Sequence, residues 1–165
     1  MKEILTILIL IGQTFMVSND KGDRINFINF SGNAESEYFT GDVMPGGVDT
    51  QKMNEEYSGL SARYVLKGKD KSGQDCSIFI ENNGKFGAEY TRPIIVTDSK
   101  ELGFLNDPTH LKGKLDFAGG GLKIRIYYCD EPVVDEDNAQ TGSDANAKDA
   151  KNGKAKDKKE KKNKK

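Results

Sequence analysis

Apolar and polar residues alternate along much of the first 129 positions, in short runs typical of β-strands. In residues 60–66 the side chains of Leu60, Ala62, Tyr64 and Leu66 fall on one face, and residues 76–82 repeat the pattern with Asn82 on the apolar face. Successive side chains of a strand point to opposite faces, so each run predicts a half-buried strand. The turn-forming residues between the two runs predict a β-hairpin.

Other apolar runs predict further strands at residues 4–11, 24–30, 38–44, 88–90, 94–97, 112–117 and 122–128. One short helix is predicted over residues 99–105, where Asp98 or Ser99 can cap it and Leu102 and Leu105 are spaced i, i+3. Parallel strands would need crossover helices that the sequence does not supply. The pattern therefore predicts an all-β fold of eight or nine antiparallel strands. A sandwich and a closed barrel both fit, and closure favours the barrel because it removes exposed strand edges.

The apolar run at residues 4–11 has a second interpretation, a signal peptide over residues 1–16. Against this interpretation, Glu3 cancels the charge of Lys2, the run is short, and no small-residue cleavage site follows it. The run is too short to span a bilayer, and it is rich in isoleucine and ends at Gly12, as a buried strand would. The sequence favours a strand and a cytoplasmic protein, with secretion as the alternative if residues 1–16 act as a signal peptide.

The composition changes at residue 130 and predicts two regions, a β-barrel domain at residues 1–129 and a tail at residues 130–165. Residues 130–144 carry six acidic side chains and no basic one, and residues 145–165 carry ten lysines against three acidic residues. Such a segment cannot bury enough apolar surface to fold, so we predict a disordered, solubilising tail. Its lysines would attract polyanions weakly. No aromatic residue is present there for base stacking, so no specific nucleic-acid partner is predicted.

A Pro-Gly-Gly turn at residues 45–47 stands directly before two polar residues, Asp49 and Gln51. Glycine tolerates positive φ, so the chain can bend there and bring Asp49 to the end of a barrel. Several motifs follow one another in order: Pro45-Gly-Gly-x-Asp49-x-Gln51, Ala62-Arg-Tyr64, Ile80-x-Asn82-x-Gly84, Arg92-Pro93, Phe104-Leu-Asn106 and a closing Gly-Leu-x-Ile-x-Ile-Tyr127. With these motifs, residues 3–129 resemble the bacterial and fungal family called domain of unknown function 3237, or uncharacterised protein family 0311.

The resemblance implies a closed antiparallel β-barrel of lipocalin-like (calycin) form, in a family without an established biochemical role. The chain has Thr50 and Ser61 where members of the family usually have Trp and Asp. These two departures imply that a pocket shared with the family loses an aromatic wall and a carboxylate here.

Four polar side chains are candidates for a ligand site at the barrel mouth: Asp49, Gln51, Tyr64 and Asn82. Tyr64 and Asn82 lie on the apolar faces of paired strands, so both are predicted to point inward. Small barrels either fill with side chains or hold one small ligand. Two interpretations therefore stay open, a ligand pocket and a buried network that closes one barrel end, with Asp49 accepting hydrogen bonds from the Tyr64 hydroxyl and backbone amides.

The leading functional hypothesis is a soluble barrel that binds a small, partly apolar molecule. The alternative is an isomerase, cyclase or hydrolase without a cofactor, in which Asp49 is the general acid or base and Tyr64 a hydrogen-bond donor. No cofactor motif occurs, and the lone His110 and two widely spaced cysteines predict no metal site. Pro93 fits only an edge strand or a bend, and such an edge would favour a homodimer.

Overall fold

Nine antiparallel strands make up most of the computed structural model, which describes residues 1–117 and 121–134. The strands are β1 (Lys2–Ser18), β2 (Arg24–Glu35), β3 (Phe39–Val43), β4 (Val48–Met53), β5 (Ser58–Asp70), β6 (Asp75–Lys85), β7 (Arg92–Thr97), β8 (Leu111–Asp116) and β9 (Leu122–Tyr128). Two 3₁₀ turns, Gly103–Asn106 and Pro108–His110, lie between β7 and β8. The predicted all-β, antiparallel fold is confirmed.

Hydrogen bonding arranges the strands in the order β7-β6-β5-β3-β2-β1-β9-β8, and β4 pairs with β2 and β5. The two ends of this order, β7 and β8, are linked by an isolated bridge between Thr91 and Gly113. The Thr91 amide donates to the Gly113 carbonyl at 2.8 Å, and the Gly113 amide donates to the Thr91 carbonyl at 3.0 Å. The strands therefore form an uneven ring with one inner face.

The inner face carries the hydrophobic core, as the alternating pattern of β5 predicts. Ala62, Tyr64 and Leu66 are buried, whereas Arg63 and Val65 between them are exposed. The largest fully buried side chains come from seven of the strands and from the connection between β7 and β8: Phe39, Leu5, Ile7, Leu66, Ile78, Ile80, Ile95, Leu102, Leu105, Leu111, Ile126 and Asn82. Burial of apolar surface stabilises a fold by about 25 cal/mol per Å², so this face holds the ring together.

The first strand is longer than predicted and lies between two partners. Residues 2–9 pair with β9 on one side and residues 7–18 pair with β2 on the other, with a register shift between Ile11 and Thr14. Ile4, Leu5 and Ile7 are buried in the core. None of the described residues forms an apolar helix long enough to span a bilayer.

The helix predicted over residues 99–105 is wrong, and no α-helix occurs in residues 1–117 or 121–134. The Ser99 hydroxyl does accept a hydrogen bond from the Leu102 amide at 3.2 Å, as a helix cap would. The chain then makes only the short 3₁₀ turn Gly103–Asn106. Glycine weakens helices, and the residue before Pro108 is driven toward extended backbone, so the turn cannot lengthen.

Two other strand assignments also differ from the prediction. Residues 88–90, predicted as a strand, lie in a turn-rich connection between β6 and β7. Strand β4 was not predicted, because its inward positions Asp49 and Gln51 are polar and hide the alternation.

Residues Met1–Val133 form one compact unit. The amide of Val133 donates to the Thr109 carbonyl at 2.7 Å. Of the predicted tail, only residues 130–134 are described. The disorder predicted for residues 135–165, and the glycine turn predicted at residues 119–121 apart from its last residue, lie outside the described residues.

Candidate functional site

A cavity of about 560 Å³ lies on the inner face of the ring. Most of its lining is apolar, with a few polar side chains among them: Ile9, Ile11, Ile28, Phe30, Asp49, Gln51, Leu60, Ala62, Asn82, Lys85, Phe86, Gly87, Ala88, Glu89, Thr91, Leu115, Phe117, Leu122 and Ile124. Residues 85–89 are exposed and form part of the rim. The volume lies in the range of about 300–1,000 Å³ that is usual for sites of small molecules.

The Pro-Gly-Gly turn sets the start of β4 and therefore the place of Asp49. Gly46 has φ +108°, a conformation that side-chain-bearing residues rarely adopt. The Gly47 carbonyl accepts from the Phe30 amide at 3.0 Å, and a Cβ at Gly47 would lie 2.9 Å from the Phe30 carbonyl oxygen. The turn thus allows a close approach to β2, and Asp49 follows two residues later on the cavity side.

Asp49 and Gln51 belong to a short hydrogen-bonded chain on the cavity wall. The Gln51 side-chain amide donates to Asp49 Oδ2 at 2.9 Å, and the Asn26 side-chain amide donates to Gln51 Oε1 at 3.1 Å. Asp49 Oδ1 is buried and has no hydrogen-bond partner among the described residues. Burial raises the pKa of the Asp49 carboxyl, and the Gln51 side chain and the Ser61 backbone amide partly oppose that rise.

Asn82 is completely buried, and its carboxamide lacks a hydrogen-bond partner for both Oδ1 and Nδ2 within the part of the chain that the structure describes. Its inner-face neighbours are Ala62 on β5 and Pro93 on β7, and Asp49 pairs with Ala62 from the other side. The small Ala62 therefore separates Asp49 from Asn82 in one row across three strands.

Thr91 is a cavity residue that the sequence did not predict. It is 4% exposed, and its hydroxyl has no partner in residues 1–117 and 121–134. Its side chain fits between two glycines: a Cβ at Gly113 would lie 2.2 Å from Thr91 Oγ1, and a Cβ at Gly84 would lie 2.7 Å from Thr91 Cγ2. The sequence could have identified Thr91 from its spacing. It precedes Pro93 and Ile95 at alternate positions, so it falls on the same side of the chain, and both of those residues are also buried.

Tyr64 is buried but does not line the cavity. Its ring meets Phe30 edge to face, with centroids 5.4 Å apart, and burial raises the pKa of its hydroxyl. That hydroxyl is buried without a partner in the described chain. Asp49 is opposite Ala62, two positions along β5 from Tyr64. The structure thus brings Asp49, Gln51 and Asn82 to one cavity and leaves Tyr64 beyond it.

The two departures from the family pattern lie next to each other and away from the cavity. Thr50 pairs with Ser61 across β4 and β5, and on its other side Thr50 pairs with Phe27. All three alternate with the cavity residues of their strands. The loss of an aromatic wall and a carboxylate at these positions therefore does not alter the cavity lining.

His110 and the cysteines are placed as parts of the fold. His110 Nδ1 lies 2.8 Å from the Cys129 carbonyl oxygen, and its ring stacks on Tyr128 at 5.3 Å. Cys76 is a buried free thiol, and Cys129 is a half-buried one. No group of three His, Cys, Asp or Glu side chains that could hold a metal ion occurs within the described ranges.

A match to the sequence model of a protein family extends along most of the ring. The sequence model of the family described as "Protein of unknown function (DUF3237)" matches residues 1–108. The chain belongs to this family. The matched segment includes β1 to β7, and therefore Asp49, Gln51, Asn82 and Thr91.

Known relatives agree with this family and fold. The UPF0311 protein CA_C3321 of Clostridium acetobutylicum is 33% identical over 86 residues, which are 50% of this chain and 52% of that protein. The match thus spans about half the length of this curated relative. A crystal structure of a protein with unknown function from the same species has a TM-score of 0.61 and 24% identity, and covers 77% of this chain and 94% of that one. A beta-barrel like protein from Acinetobacter baumannii has a TM-score of 0.55 and 16% identity, with 77% and 93% covered.

Proposed function

We propose that the protein is a soluble, lipocalin-like barrel that binds one small, partly apolar molecule in its cavity. One observation carries the proposal: an apolar lining around about 560 Å³ contains buried polar atoms of Asp49, Asn82 and Thr91 that have no partner among the described residues. A buried polar group without a partner costs about 1–3 kcal/mol. A ligand that pairs with these atoms would recover part of that cost, which supports a binding site over a sealed core.

The direct test is retention of a small molecule from an extract. Purified protein would be incubated with an extract of small molecules, separated from unbound material, denatured, and its retained compounds identified by mass spectrometry. We expect one compound, or a few related ones, to be enriched over a protein-free control. If no compound is retained by the folded protein, the proposal is wrong.

A matched pair of variants tests whether retention occurs in this cavity. Ala62→Phe would fill the cavity, since Ala62 is 5% exposed and lies between Asp49 and Asn82. Val65→Phe is the control, because Val65 is on the same strand but 37% exposed and outside the lining. Retention should be lost in the first variant and kept in the second. Equal retention by two folded variants would place the binding elsewhere.

A second candidate function is an isomerase, cyclase or hydrolase that needs no cofactor and uses Asp49 as general acid or base. The raised pKa of Asp49 favours it, because a carboxyl group exchanges protons most effectively when its pKa approaches the working pH. Tyr64, the hydrogen-bond donor predicted for this role, does not line the cavity, and Thr91 and Asn82 do. An NMR titration that gives Asp49 an ordinary aspartate pKa, about 3.9, would contradict this candidate.

The cytoplasmic location and the homodimer remain proposals. The burial of Ile4, Leu5 and Ile7 supports the location, because cleavage after residue 16 would remove a strand that pairs on both sides. Detection of the protein in separated cell fractions would test its location. Measurement of its molecular mass in solution would test the homodimer. A secreted product lacking residues 1–16 would contradict the first, and a monomer at micromolar concentration the second.

A further inference from the structure

The buried part of the cavity is poor in charge. Among the described lining residues, only Asp49, Lys85 and Glu89 are ionisable, and Lys85 and Glu89 are exposed at the rim. An ionised ligand group at the bottom of the cavity would lose its hydration there and meet no cationic side chain, which is costly. The interior therefore suits a ligand whose deepest polar group is neutral.

The Asn82 carboxamide offers one hydrogen-bond acceptor and two donor hydrogens on a single planar group. Gly113 borders this group closely: a Cβ there would lie 2.9 Å from Asn82 Oδ1 and 3.3 Å from Nδ2. The Thr91 hydroxyl borders the same glycine and can both donate and accept. The cavity floor thus holds two neutral, unpaired groups side by side in the described structure.

We infer that the ligand carries a neutral lactam, or another cis-amide, which pairs edge to edge with the Asn82 carboxamide. A cis-amide places an N–H donor beside a carbonyl acceptor, so it satisfies Oδ1 and Nδ2 together. Both atoms are buried, so pairing with a ligand requires the carboxamide to rotate toward the cavity. This inference rests on the proposed binding function and adds the chemical class of the ligand.

Other common polar groups match Asn82 less well. An ionised carboxylate has acceptors only, so Oδ1 would stay unpaired and the charge would lie near Asp49. An ester or lactone likewise has no donor. The N-methyl form of a lactam keeps the carbonyl, loses the N–H and adds bulk where Oδ1 must approach. Affinity should therefore depend on whether the ligand has the amide N–H, because sites with buried polar groups reject analogues that leave those groups unpaired.

A probe series on the unaltered full-length protein tests the inference. The probes are dihydroquinolinone, its N-methyl derivative, the matching lactone dihydrocoumarin, and the hydrocarbon tetralin. Affinities would be measured by NMR titration, with the side-chain NH₂ signal of Asn82 as the local reporter. We expect dihydroquinolinone to bind about tenfold more tightly than the N-methyl derivative or the lactone, which corresponds to the loss of one well-made hydrogen bond.

The variants Asn82→Leu and Asn83→Leu locate the preference. Asn83 is the next residue on β6, its side chain donates to Glu81 Oε1 at 3.1 Å, and it does not line the cavity. The lactam preference should disappear in Asn82→Leu and persist in Asn83→Leu. Equal affinities for lactam, N-methyl lactam and lactone in the unaltered protein would overturn the inference while the binding function stands. Failure of all four probes, tetralin included, would overturn the inference and count against the cavity as a binding site.

Discussion

Replacing Asn82 by leucine should stabilise this protein, although most substitutions at fully buried positions destabilise. Asn82 is 0% exposed, and neither polar atom of its side chain has a partner among the described residues. Leucine has a similar shape and carries no polar atom. The substitution removes an unsatisfied group and adds apolar burial at the edge of a cavity that can take up small differences in shape.

The size of the effect follows from the cost of the unpaired carboxamide. A buried polar group without a partner costs about 1–3 kcal/mol, and removing it gains that free energy. The strain of fitting a slightly different side-chain shape into the core offsets part of this gain. We expect a net gain of about 1–2 kcal/mol in the free energy of unfolding. For a folded unit of this size, that gain raises the melting temperature by roughly 3–8 °C.

Urea unfolding followed by far-UV circular dichroism is the suitable assay, because the chain has no tryptophan. Asn83→Leu is the matched control: it makes the same substitution one residue along β6, outside the cavity lining, and should give no gain in stability, because it removes the hydrogen bond to Glu81. If Asn82→Leu lowers stability by 1 kcal/mol or more, the carboxamide is satisfied in solution. It would then be a structural group, as in a polar network that closes the ring, and the reasoning from unpaired atoms would be refuted.

Three further predictions concern the Asp49 carboxyl group, the close approach of Gly113 to Thr91, and the tail at residues 135–165. Burial raises the pKa of Asp49 in the folded state, so the folded protein holds its proton more tightly and its stability falls as the pH rises from the unfolded pKa through the folded one. Asp49→Asn should therefore stabilise the protein at pH 7 and lose this advantage near pH 3. Urea unfolding at both pH values would show the difference. Gly113→Ala should destabilise by about 1–3 kcal/mol because its Cβ would lie 2.2 Å from Thr91 Oγ1, and adding Thr91→Ala should recover part of the loss in the same assay. Deleting residues 135–165 should leave the melting temperature within about 2 °C, because stability comes chiefly from apolar burial and the Val133–Thr109 hydrogen bond is kept, and a larger drop in a thermal scan would contradict a disordered tail.

The sequence predicted those strands in which the hydrophobic pattern is local and complete. Residues 60–66 and 76–82 alternate without interruption, and the structure places Tyr64 and Asn82 on the inner face as expected. Such alternation depends only on the period of a strand, so it needs no knowledge of the partners. Strand β4 fails the same test because polar Asp49 and Gln51 occupy its inner positions.

The cavity itself could not be predicted from local pattern, because its walls come from strands far apart in the chain. Ile9, Leu60 and Ile124 line the same space only after the ring has formed. Thr91 joins them because two glycines leave room for it, and Gly113 becomes its neighbour only through the bridge between β7 and β8. Local pattern therefore predicted which residues point inward, and only the register showed which of them meet.

The placement of polar groups on this inner face separates a binding role from a purely structural one. A network that only closes the ring would be expected to pair its members, because half-satisfied buried networks are less stable than apolar cores. Gln51 meets this expectation through Asn26 and Asp49, but Asn82 and Thr91 do not within the described residues. The unpaired groups of Asp49, Asn82 and Thr91 lie beside the cavity, whereas the unpaired hydroxyls of Ser61 and Tyr64 lie outside its lining. Local departures of this kind, where a fold accepts a cost in stability, are characteristic of functional sites.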